Sequence, residues 1–327
     1  MTDHTPTSAA APCPPPWRAP LIVVALGLLL IFLLPDYLGL LARIAIVSLF
    51  VISLDLVVGV AGLGTLGHAA MFGVGAYAAG IAALRWHPDP LLGLLIGIVA
   101  GALVALVSGA FLLRYQGLTF LMLSVAVLQV LQSLANKFRD WTGGDDGLTG
   151  FAASALLGRF RFDMKGQTAA LYALAALGLG YYIARRVVDS PFGLSVRGIR
   201  ENRARMAALG SPVFSRLLAM YAISGALAGA AGAVSAQTNG VVGLDSLSFN
   251  FSAECLVMLI LGGAGRLHGA VLGVALYTVL HHTASSMNPY HWLFVIGIAL
   301  MAVVFISPPR MWMWVRSRLP AMRIAKP

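Results

Sequence analysis

The stretch GVAGLGTLGHAAMFGVGAYAAG, Gly59–Gly80, crowds glycines around a single histidine, His68, inside an otherwise apolar chain. Glycine weakens a helix, and a weakened helix in hydrocarbon frees backbone groups that no water can satisfy. Such a break is tolerable only where protein or a water-filled cavity covers it. A second stretch, LILGGAGRLHGAVLG, Leu259–Gly273, poses the same problem. Any fold for this chain has to cover both breaks.

Composition places the breaks in a membrane. Of 327 residues 59% are hydrophobic and only 10% charged, with a mean hydropathy of +0.86; soluble domains carry about 25% charged residues. A net charge of +10 does not indicate nucleic acid here. It matches the rule that keeps Lys and Arg in cytoplasmic loops.

Apolar runs predict ten spans, near 20–35, 40–60, 68–84, 91–113, 117–135, 168–184, 217–236, 252–265, 267–283 and 290–306. This gives an all-α polytopic membrane protein. Residues 1–19, rich in Pro, Ala and Thr, read as a disordered cytoplasmic tail, residues 20–306 as the membrane domain, and 307–327 as a basic cytoplasmic tail. Most Lys and Arg then fall on the cytoplasmic side with both termini. Spans two to five and seven to ten begin on opposite sides, and each set contains a glycine-rich break. Matching broken segments in oppositely oriented halves suggest an inverted-repeat transporter whose pathway includes Gly62, Thr65, Gly67 and His68 in one half and Gly262, Gly263 and Gly265 in the other.

The segment Arg185–Ala219, which includes the predicted cytoplasmic loop 185–216, is too long and too rich in arginine to be a turn. Ser190 and Pro191 mark a helix start. Phe192, Val196 and Ile199 share one face of that helix, and arginines surround them. The helix is predicted to continue through Met206 and Leu209 to a cap at Gly210. Sequence alone leaves it equally suited to lipid headgroups and to a groove on a cytoplasmic partner.

The ionisable residues at membrane depth are Asp55, His68 and Glu254. Groups of this kind usually face a cavity or a partner. His68 can also serve simply to support backbone freed beside Gly67. None of the three sits in a motif for intramembrane hydrolysis, Cys13 and Cys255 lack metal or disulfide spacing, and no metal site is expected. Gly262–Gly265 lacks the Lys and Ser of a phosphate-binding loop, so the chain is expected not to be an enzyme.

Several motifs resemble a known family. SLDLVVGVAGLGTLGHAAMFGVGAYAAG, SPFGLSVRGIREN with AALG, MLILGGAGRLHGAVLG and the loop TGGDDGLTG occur in order between about Leu21 and Pro308. They resemble the signatures of LivM-type permeases, the membrane subunits of branched-chain amino-acid ABC importers in the bacterial inner membrane. The resemblance implies a second, LivH-like permease subunit, two cytoplasmic ATP-binding subunits that hold ATP and Mg, and a periplasmic binding protein. No cofactor is implied in this chain.

It further implies that the loop between spans six and seven docks on the ATPase through Ser190, Pro191, Phe192, Gly193, Arg197, Arg200, Glu201, Asn202 and Gly210. The loop from Lys137 to Gly166 would receive the binding protein. The cargo implied is a neutral amino acid, held by the backbone at glycine-opened helix ends. Leu63, Thr65 and Asp55 stand where relatives often carry Gln, Ser and Asn, and related permeases serve urea and short amides. That keeps a urea importer in view, with a passive channel as the other alternative.

Overall fold

The computed structural model describes residues 18–33, 35–151, 166–287 and 297. The predicted tails, apart from Arg18 and Ala19, therefore lie outside the described residues. So do the predicted span 290–306, apart from Gly297, and residues 152–165 of the expected docking loop.

The described residues are mostly helical: α1 Arg18–Leu33, α2 Leu38–Asp55, α3 Ala69–Arg85, α4 Pro90–Leu112, α5 Leu118–Lys137, α6 Arg139–Thr142, α7 Gln167–Val188, α8 Pro191–Glu201, α9 Arg203–Ala208, α10 Val213–Asn239, α11 Phe249–Gly262 and α12 Leu267–Met287. The β pairing among the described residues is one isolated bridge, Leu148 with Val242. The predicted apolar runs that fall within the described residues coincide with helices, and their ends follow local chemistry. Pro90 occupies the first turn of α4 after an extended Asp89. Ser248 caps α11 by accepting the Phe251 N–H at 3.1 Å.

Five segments are long and apolar enough to cross a membrane by themselves: 35–60, α4, α5, α7 and α10. The expected separate spans 252–265 and 267–283 are instead one bent pair, α11 and α12, folded through 115°. With 14 residues, α11 is about 21 Å long at 1.5 Å per residue, short of the ~30 Å hydrocarbon core. The bend sits at Gly263 and Gly265, whose φ values of 90° and 85° suit glycine alone among the residues. An apolar run predicts a span only while the chain stays straight, and here it does not.

The bundle is built around α10, which packs against α4, α3 and α2. Gly93, Gly97, Gly101 and Ala105 form one buried stripe of α4 at four-residue spacing. The stripe meets Gly225 and Gly229 of α10 so closely that a Cβ added at Gly229 or Gly101 would collide with the opposing backbone. Small residues at this spacing let membrane helices approach and gain dispersion contact where lipid gives no hydrophobic incentive. α2 lies between α7, α10 and α12 and is buried from Ala45 to Asp55.

The acidic loop GGDDGLTG is less free than its composition suggests. Leu148 and Phe151 are buried against Ala76, Tyr77, Val242 and Leu247, and the Leu148–Val242 bridge fastens the loop to the connection between α10 and α11.

Candidate functional site

The first glycine-rich break begins where α2 loosens. After Asp55 the chain makes one π-helical turn, Leu56–Val60, and then runs without regular structure until α3 starts at Ala69. Local bonds cover part of the freed backbone: Leu63 N donates to Val57 O at 2.9 Å, and Gly67 N donates to Thr65 Oγ1 at 3.2 Å. Ser124 of α5 accepts the Leu66 N–H at 3.3 Å. Leu63 and Thr65 are both buried, and neither lines the large cavity described below.

Three motifs far apart in sequence meet at this break. Asp55 Oδ1 accepts the Gly265 N–H at 2.6 Å, which binds the α11–α12 bend to the end of α2. Arg200 of α8 donates through Nη1 to Gly59 O, its stem lies against Gly62, and its charge attracts the Asp55 carboxylate. A Cβ at Gly59 would collide with Asp55 Oδ1 and with the Gly265 backbone. The remaining glycines of the second break, Gly262 and Gly263, close the α11–α12 hairpin, where Gly262 abuts Gly269 backbone to backbone. The two breaks thus face each other directly, and Arg200 of α8 is bonded to the first beside that junction.

The segment after α7 is well determined by its sequence. Ser190 Oγ accepts the Gly193 N–H at 3.2 Å and donates to Val187 O at 2.6 Å, which caps α8 and ties it to α7. Val196 and Ile199 are buried, Phe192 packs partly against the same core, and Arg216 of α10 donates to Ser195 Oγ. One expectation fails: the helix does not run on to Gly210. It breaks at Asn202, whose backbone is extended and whose Oδ1 accepts the Arg205 N–H at 2.9 Å, capping the separate helix α9. Asn competes with helix continuation because its side chain satisfies a backbone donor outside the helix. The exposed face of α8 carries Leu194, Arg197 and Glu201, and Leu194 had escaped the sequence reading.

His68 is wholly buried. Its Nε2 lies 3.0 Å from Ser53 Oγ of α2 and 3.2 Å from Ser224 Oγ of α10. Ser53 donates to Phe50 O at 2.6 Å, and Ser224 donates to Ser53 O at 2.5 Å. With both hydroxyl protons committed, this network assigns the imidazole proton to Nε2, which shares it between two hydroxyl oxygens. His68 therefore fastens the break to side chains of α2 and α10, not to backbone freed beside Gly67. Gly67 itself is pressed against the Ser124 backbone.

Above His68 the rings form a stack. Phe50 lies 5.4 Å from the imidazole and 5.4 Å from Phe251, and Phe72 closes the group at 5.0 Å from Phe50 and 5.1 Å from Phe251. Phe72 and Phe251 form the floor of a cavity of about 510 Å³ at the opposite end of α7 from α8. Going along α2 from Arg43 to Asp55 one passes from cavity, through aromatic stack, to joint, a path of about 18 Å.

A broken-helix bundle with paired glycine interruptions and a cavity at one end defines a multi-pass membrane transport protein. The chain belongs to the family described as branched-chain amino acid transport system / permease component, whose pattern matches residues 37–304. It is 26% identical over 283 residues to the high-affinity branched-chain amino acid transport system permease protein LivM of Salmonella typhimurium, and 25% identical over 282 residues to LivM of Escherichia coli; each alignment covers 78% of this chain and 65% of the relative. It is also 26% identical over 231 residues to the galactose/methyl galactoside import permease protein MglC of Salmonella typhimurium, covering 65% of this chain and 66% of that one. The chain therefore spans about two thirds of the length of these relatives. No solved structure matches it.

Proposed function

We propose that the chain is one membrane subunit of an ATP-driven importer of neutral amino acids, moved by partner ATPases that dock on α8. The observation that carries this reading is the bond from Arg200 of α8 to Gly59 at the first break, with the second break held on Asp55 beside it. A passive channel has no use for an outlying arginine helix fixed to the first break beside its junction with the second. A partner that pushes α8 moves Arg200, and Arg200 holds the backbone where the bundle is already interrupted.

In this reading the α8 end and both termini face the cytoplasm of a bacterial inner membrane, and the cavity faces outward. The arginines of α8 and α9 follow the positive-inside rule. ATP and Mg belong to the partner subunits, and a binding protein delivers cargo over the Lys137–Gly166 loop. α5 supports a second permease subunit: Thr119, Gln129 and Ser133 are exposed on one face of this span, and polar side chains are better satisfied against another helix than against lipid. The broken helices would then be the counterparts of two inverted halves.

The LivM relatives favour branched-chain amino acids as cargo, the MglC relative favours a sugar, and the urea alternative remains open to the same test. The full chain, assembled with its ATPase, second permease and binding protein in proteoliposomes, should accumulate leucine only with ATP at the ATPase side. Equal uptake without ATP overturns the importer reading, and ATP-driven uptake of galactose or urea in place of leucine overturns the cargo.

A further inference from the structure

The glycine breaks have little left to offer a substrate. The Gly265 N–H is taken by Asp55, and the Gly59 carbonyl is taken by Arg200. Recognition of cargo by free backbone at the breaks, attractive from sequence, is thereby weakened, and the charged groups that face open space lie elsewhere.

They lie in the cavity of about 510 Å³ between the start of α2 and the connection from α10 to α11. Its size falls within the roughly 300–1,000 Å³ of small-molecule sites. Its lining contains one cation, Arg43, and one anion, Asp245, with hydroxyls from Ser235 and Thr238 and an apolar floor of Phe72 and Phe251. Arg43 and Asp245 are exposed to this space. The ion pairs among the described residues are Arg139–Asp145 and Arg185–Asp189, so these two charges do not neutralise each other. The charge of Arg43 acts on Glu254 of α11, and Tyr77 feels the charge of Asp245.

We propose that this cavity binds a zwitterionic α-amino acid with an apolar side chain, its carboxylate on Arg43, its ammonium on Asp245 and its side chain against Phe72 and Phe251. An arginine fork matches a carboxylate geometrically. A sugar or urea would leave Asp245 without a charged partner and Arg43 with Glu254 alone, so the pair discriminates against those cargoes. The assignment rests on the import reading for its purpose, but its chemistry is testable without transport.

The test is saturation-transfer NMR on the purified full-length chain in detergent, with leucine, 4-methylpentanoate, which lacks the ammonium, 3-methylbutylamine, which lacks the carboxylate, galactose and urea as probes. Leucine should bind at least about tenfold more tightly than either singly charged analogue, the size of one lost charge-assisted hydrogen bond. Arg43→Gln should weaken leucine about tenfold and erase its advantage over 3-methylbutylamine, while Asp245→Asn should erase its advantage over 4-methylpentanoate. A merely structural role would weaken all ligands alike. Absence of leucine binding to the wild-type chain, unchanged discrimination in both variants, or galactose or urea binding as tightly as leucine overturns the site. ATP-driven leucine uptake that persists unchanged in both variants overturns it while sparing the import reading, and failure of wild-type uptake alone removes only that reading.

Discussion

Asp55 Oδ1 accepts the backbone N–H of Gly265 at 2.6 Å, across a sequence separation of 210 residues. The carboxylate sits on the last residue of α2, and the amide sits in the bend between α11 and α12. This one bond joins the two interruptions of the bundle, so a disturbance of either is felt by both.

Removing the acceptor should therefore loosen the second break. Asp55→Ala is expected to cost about 1–3 kcal/mol, the range for a buried donor left unsatisfied, and to lower the thermal midpoint of the purified chain. Asp55→Asn retains an oxygen for the Gly265 N–H and should lose less. Equal losses for the two variants would show that the carboxylate charge, not the hydrogen bond, matters.

The close approach at Gly59 gives a sharper contrast. Gly59→Ala places a methyl group against Asp55 and the Gly265 backbone, whereas a Cβ at Gly64 meets nothing within 4 Å. The first variant should fail to accumulate or transport, and Gly64→Ala should behave as wild type. Quantifying folded protein in membranes by fluorescence size-exclusion decides this; a silent Gly59→Ala removes the packed joint.

Arg197 and Arg200 should separate by phenotype despite lying three residues apart on α8. Arg200→Ala breaks the link to Gly59 and is expected to leave ATPase partners bound and hydrolysing while uptake falls about tenfold or more, the size of a lost charged hydrogen bond. Arg197, on the exposed face with Leu194 and Glu201, should instead govern co-purification of the ATPase. Loss of ATPase association in Arg200→Ala with no effect from Arg197→Ala would reverse these roles.

The His68 network should be of moderate strength. Ser224→Ala removes a donor to Ser53 O and one partner of His68, and side-chain hydrogen bonds between membrane helices average about 0.6 kcal/mol, with a maximum near 1.7. His68→Ala should cost more, because it also deletes the ring stacked on Phe50 and leaves a void. Unfolding titrations in denaturing detergent give the order; a larger loss in Ser224→Ala than in His68→Ala would contradict it.

Much of the architecture was legible in the residues. Apolar runs located the helices, Ser190–Pro191 located the start of α8, and the stripe Phe192, Val196 and Ile199 identified its buried face. Each of these signals is written in neighbouring residues and requires no partner. Errors arose where a local signal had two physical outcomes. Leu259–Gly273 remains apolar whether the chain continues straight or bends by 115°, and Glu201-Asn202-Arg203 looks helical unless Asn202 is seen capping α9. The four-residue spacing of Gly93, Gly97 and Gly101 marks a helix-packing face, but the spacing does not say that α10 is the helix it meets.

The sequence by itself determined that this is a membrane bundle of helices with two glycine interruptions and an arginine-bearing amphipathic helix, because hydropathy, periodicity and caps act over a few residues. Only the tertiary structure decided that the interruptions touch, that Arg200 reaches Gly59, and that Arg43 and Asp245 share a cavity. Glycine announces that backbone can approach something closely, and a buried charge announces that it needs a partner. Which backbone and which partner depends on how helices more than a hundred residues apart pack, and no local pattern carries that information.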